Sequence, residues 1–259
     1  MTRLSVGVSD DSYWAITCTG AAIERDAKST FGARLTQACG LALLSLIASG
    51  CAYHGNGPIE VHYQKYKAGM PEGDKVFVCS SYGCRTQSPF RFTAADITEV
   101  KKFMSDKRTA TSAAEREATK LAIAWMGRRA DTAVGTAGDR PGDDMLGNGD
   151  PGQMDCVDVA TNLTSYMLVM ENHKLFHHHS VGSIYVKEDI RRGFDGWTHY
   201  AGILIENKSK QKYAVDGWLL ASGKQPEITE VEKWYIDDGD LLFGAKAPVA
   251  TASARPSAQ

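Results

Sequence analysis

The sequence predicts an α+β protein with helices packed on an antiparallel sheet. Helix-type patterning fills the middle of the chain, and strand-type patterning with a hairpin turn follows it. Thr93 opens the first helix, with Asp96 three residues later in a partial capping box. Ile97, Val100 and Phe103 give that helix an apolar side. Ser112-Ala113-Ala114-Glu115 reads as the capping box of a second helix. Ala114, Ala118, Leu121 and Trp125 keep helical spacing there, and the pattern fades near Arg129. A third helix is expected from about Val157 to Glu171, with Val157, Ala160, Thr164, Met167 and Leu168 on one face. Strands follow at Ser183–Val186, His199–Glu206 and Lys212–Asp216, and Asn207-Lys208-Ser209-Lys210 is the turn between the last two. Upstream, residues 52–73 read as an extended lead-in with a strand at Ile59–Tyr63. Val76-Phe77-Val78 reads as a short β run, and a last segment lies around Val231–Tyr235.

The chain has 259 residues, 43% hydrophobic and 23% charged, which suits a globular domain with a buried core. A net charge of −2 and the lack of a lysine-arginine stripe exclude a nucleic-acid surface. Residues 1–51 are expected to be an N-terminal extension with an export signal, 52–245 a single domain, and 246–259 a disordered Ala/Ser/Pro/Thr tail. The apolar run at 38–50 is about 13 residues, shorter than the roughly 20 that span a bilayer, and basic Lys28 and Arg34 precede it. It ends in Ala48-Ser49-Gly50-Cys51, which resembles a bacterial lipobox with alanine in place of the usual leucine. Cys51 is then the lipidated residue, and the natural start is expected downstream of residue 27. These features place the protein in the bacterial cell envelope, on the periplasmic face, held to the membrane by a lipid anchor.

An oxidising compartment pairs nearby cysteines. Cys79 and Cys84 bracket the turn-like Ser-Ser-Tyr-Gly, and a disulfide is expected between them. Half of a zinc site is the rival, but no second cysteine pair follows. Cys156 is left without a structural task.

Cys156 sits in Gly152-Gln153-Met154-Asp155-Cys156-Val157-Asp158, at a helix start for which Asp155 is a plausible cap. A helix N-terminus near an imidazolium favours the thiolate. Trp197-Thr198-His199-Tyr200 offers His199 as proton acceptor, and Tyr213-Ala214-Val215-Asp216-Gly217-Trp218 offers Asp216 to orient the ring. Pairing about the turn at 207–210 brings Asp216 near residues 199–202. The Cys156 backbone N–H and the Gln153 side chain are the oxyanion-donor candidates. Trp197 and Trp218 flank the triad, as cleft walls or as core packing.

Gly-x-x-Asp-Cys at a helix start, His on a strand and Val-Asp-x-Trp on the next resemble the transglutaminase-like core of the papain-like superfamily. The match covers about residues 150–220. The resemblance implies a Cys156–His199–Asp216 site, no cofactor, and acyl transfer through a thioester, with amide hydrolysis as the expected reaction. The compartment suggests a peptide or cell-wall peptide as substrate. Two other readings stand beside it. One is a catalytically inactive envelope-binding module on the same fold. The other is a metal protein using His173, His177, His178 and His179 or the aspartates of the 131–155 loop. Consecutive histidines on a strand alternate faces, so that cluster reads as an exposed loop between helix and strand. The Asp-rich loop lacks EF-hand spacing and reads as a lid or a solvated loop.

Overall fold

The protein is described by a computed structural model covering residues 51–55, 57–106, 108–142, 148, 150–189 and 198–236. The export-signal run at 38–50, the first 27 residues, Trp197 and the tail from 246 lie outside the described residues. Among the described residues, no helix is long and apolar enough to cross a membrane.

The order of elements is β1 (Cys51–Gly55), α1 (Ile59–Lys65), β2 (Lys75–Ser80), β3 (Thr86–Arg91), α2 (Ala94–Phe103), α3 (Ser112–Val134), α4 (Cys156–Asn172), β4 (His179–Asp189), β5 (Thr198–Glu206), β6 (Lys212–Asp216), β7 (Glu227–Glu230) and α5 (Val231–Ile236). Five strands form an antiparallel sheet in the order β1-β4-β5-β6-β7, and β2 and β3 form a separate hairpin. The fold is α+β, as expected.

Helix α4 lies at the centre. Gly202 of β5 lets it approach, since a Cβ there would sit 2.8 Å from Thr164 Oγ1 and 2.9 Å from Met167 Cε. One face of the sheet, with Leu204 and Val215, joins Met126, Tyr166, Met167 and Met170 in the main core. Strand alternation sends Ala201, Ile203 and Ala214 to the other face, where Val231 and Trp234 of α5 cover them.

Several elements differ from the sequence reading. Ile59–Tyr63 is helical, because a helix turns His62 and Tyr63 together onto α4. His62 Nε2 meets Thr161 Oγ1 at 2.8 Å, and the Tyr63 hydroxyl meets Ser165 Oγ at 2.8 Å. Helix α2 has its capping box, with Thr93 and Asp96 bonded reciprocally. In α3 the cap is Thr111, not Ser112, and Glu115 turns inward. That helix runs past Arg129 to Val134 and ends at Gly135, whose φ of 88° is left-handed. Strand β4 is longer than Ser183–Val186, and residues 231–236 are helical. Strands β1, β3 and β7 carry no strand signal in the sequence, being short and without clean alternation.

Buried Glu115 explains the histidine segment. Its carboxylate accepts the backbone N–H groups of His177, His178 and His179, and lies 2.8 Å from His179 Nδ1. Burial pushes that carboxyl up, but the His179 hydrogen bond, two of these N–H groups and the His179 charge outweigh it and hold the carboxyl low. His179 is therefore a buried strand residue rather than part of an exposed loop.

Candidate active site

Cys156 is the first residue of α4. The Asp155 side chain accepts from the Asp158 N–H, and the Asp158 side chain accepts from the Asp155 N–H, which closes a capping box around the thiol. The sulfur thus lies at the positive end of a 17-residue helix. Cys79 and Cys84 form the expected disulfide, and Cys156 takes no part in it. Its Sγ lies 3.8 Å from the carbonyl oxygen of Thr198, the residue before His199.

The β5–β6 register pairs Gly202 with Val215. Asp216 is then a diagonal neighbour of His199 on the same face. His199 Nε2 and Asp216 Oδ2 lie 2.5 Å apart, with the ring N–H donating. Asp216 also accepts from Trp234 Nε1 at 2.9 Å and from the Trp218 N–H at 3.1 Å. Burial would raise this carboxyl, but the His199 charge and these three hydrogen bonds take it down to about 2. The rings of Trp218 and Trp234 lie 5.0 and 5.8 Å from that of His199. Trp218 is buried, so it packs the histidine rather than lining an open cleft.

His199 Nδ1 is buried and has no hydrogen-bond partner. The Asp216–His199 pair is thus built, while no hydrogen bond joins the ring to the Cys156 sulfur. The sulfur meets β5 at the Thr198 carbonyl, one residue before His199.

Gln153 is not placed as an oxyanion donor. Its Nε2 donates to the Gly138 carbonyl at 3.1 Å, and its Oε1 accepts the Arg140 N–H at 3.1 Å. Asp139 is buried and accepts the Met154 N–H at 2.7 Å. Residues 138–140 of the Asp-rich loop are thus tied to residues 153 and 154, just before Cys156. A group not expected from sequence packs beside the thiol. The Tyr66 hydroxyl donates to the Tyr200 hydroxyl at 2.9 Å, and Lys65 Nζ donates to the same oxygen at 3.0 Å. Burial and then the Tyr200 hydrogen bond push the Tyr66 hydroxyl up, with smaller contributions from the charges of Tyr200, Cys156 and Asp155. Residues 65, 66 and 200 are too far apart in sequence for any local pattern to announce this group.

The histidines are engaged separately. His173 Nε2 lies 2.5 Å from Asp74, His177 3.5 Å from Asp106, and His178 3.0 Å from the Thr109 carbonyl. Among the described residues, the group of metal-type ligands that comes together is Cys79, Cys84 and Asp158, and both of its sulfurs are spent in the disulfide. No family model, curated protein or solved structure matches the chain.

Proposed function

We propose that this protein is an exported, lipid-anchored cysteine enzyme of transglutaminase-like type that cleaves amide bonds in peptides or cell-wall peptides. The observation that carries the reading is the His199–Asp216 pair. Its second ring nitrogen is buried and unpartnered, and the carbonyl of the preceding residue, Thr198, lies 3.8 Å from a thiol at a helix N-terminus. The envelope location rests on the lipobox-like Ala48-Ser49-Gly50-Cys51 and on the Cys79–Cys84 disulfide.

In this mechanism His199 Nδ1 takes the Cys156 proton, with Asp216 holding the ring through Nε2. The thiolate attacks the amide carbonyl carbon, and the backbone N–H of Cys156 receives the developing oxyanion. Collapse expels the amine, which His199 protonates, and leaves a thioester. Water activated by His199 then releases the acid and the free thiol. The step requires Nδ1 and Sγ to close on one another when substrate binds, as catalytic hydrogen bonds often do.

The test is alkylation of Cys156 by iodoacetamide between pH 5 and 8, with incubation in an activated acyl ester as a second arm. A midpoint well below the free-thiol value of about 8.5, lost in His199→Ala, supports the reading. So does one acyl mass gained by wild type and not by Cys156→Ala. A free-thiol profile overturns it. It would favour a non-catalytic envelope-binding module, for which the unformed Cys156–His199 hydrogen bond is the supporting observation.

A further inference from the structure

The disulfide loop does more than close a turn. Ser81, Tyr82, Gly83 and Cys84 take φ values of 69°, 66°, 68° and 57°. A run of four left-handed residues, three of them not glycine, is disfavoured and persists only when its surroundings impose it. Here the Cys79–Cys84 bond closes the run. The turn aims two backbone N–H groups at Asp158, from Tyr82 at 2.8 Å and from Cys84 at 2.6 Å.

Asp158 is fully buried and also accepts the Asp155 N–H at 3.2 Å, so the same carboxylate holds the turn and the cap of the nucleophile's helix. Four residues further along α4, Asn162 accepts the Cys79 N–H at 2.7 Å and donates to the Cys79 carbonyl at 2.9 Å. On the other side of Cys156, the Gln153 carbonyl accepts the Ser81 N–H at 2.7 Å. The segment carrying the thiol is thus gripped from residue 153 to residue 162 by one six-residue stretch of chain. The sulfur-bearing ends of that stretch are themselves buried. A dithiol reaches such sulfurs poorly, which makes the arrangement a fixed clamp rather than a switch.

We propose that Asp158 and the Cys79–Cys84 turn are positioning elements for Cys156, holding the first turn of α4 so that the sulfur stays at the helix N-terminus beside the Thr198 carbonyl. The proposal rests on Cys156 being the nucleophile. Without the turn, the Asp158 carboxyl would lose two of its three backbone donors in a buried place. The cap would then rearrange to find water or other donors.

The test uses the full chain, with Asp158→Asn and the double variant Cys79→Ala/Cys84→Ala. The pH profile of iodoacetamide alkylation is followed on the Cys156 peptide by mass, and the fold is checked by near-ultraviolet circular dichroism. Both folded variants are expected to move the midpoint upward toward the free-thiol value. Each unit of that shift lowers the rate at pH 6 by about tenfold. A purely structural role would lower the melting temperature and leave the profile in place. A low midpoint retained in the folded variants therefore overturns the clamp alone. A free-thiol profile in wild type overturns the nucleophile and the clamp together. If the double variant does not fold, Asp158→Asn, which keeps the disulfide, decides.

Discussion

His62 donates its Nε2–H to Thr161 Oγ1 at 2.8 Å, because the Thr161 hydroxyl hydrogen is already given to the Val157 carbonyl at 2.7 Å. This fixes the neutral tautomer and leaves Nδ1 buried without a partner. Burial first, and the Lys65 charge second, lower the ring's pKa from 6.5 to about 4.

A pH prediction follows from that lowering. Between pH 6.5 and pH 4 the unfolded chain binds a proton at His62 and the folded chain does not. The His62 contribution is therefore complete above pH 6.5 and is lost as pH falls through that window. The full loss is about 3 kcal/mol. Asp158 slopes the other way. Burial and then the Asp155 charge raise it to about 8, so its contribution fades as pH rises from about 4 to 8. Urea unfolding of wild type and His62→Gln at pH 7 and pH 4.5 separates the two. The stability difference should shift toward the variant at pH 4.5, and an unchanged difference would show that His62 protonates without cost.

Asp216→Asn is expected to keep the fold and impair the site. Asparagine can bond the ring but no longer favours the imidazolium, and its amide can impose the wrong tautomer. Alkylation of Cys156 at pH 6 should slow about tenfold or more, and turnover on an amide substrate on the order of 10²–10⁴-fold. Rates within twofold of wild type would remove Asp216 from the mechanism.

Glu115→Gln is expected to destabilise without touching the thiol. The glutamine amide would set N–H groups against the donors of His177, His178 and His179 in a fully buried place. The expected loss is about 3 kcal/mol, read as a lower urea midpoint with an unchanged slope. A loss below about 1 kcal/mol would mean that water replaces the carboxylate. The Cys156 alkylation profile should not move.

Much of the site was legible in the chain. Asp155 as a helix cap, Cys79–Cys84 as a disulfide and the 207–210 turn that aligns His199 with Asp216 are local features. Each depends on spacing within 17 residues, where capping, loop closure and strand alternation act directly. The same locality misled at Ile59–Tyr63, where the choice between strand and helix was made by Thr161 and Ser165 about a hundred residues away.

By itself the sequence determined the α+β class, the helix that starts at Cys156 and the pairing of His199 with Asp216. Capping, periodicity and hairpin register are properties of neighbouring residues. Only the tertiary structure decided that Gln153 staples a loop instead of facing substrate, that Glu115 gathers the histidine segment, and that a strained left-handed turn grips Asp158. Those outcomes follow from burial, which obliges each enclosed polar group to find a partner wherever the folded chain provides one.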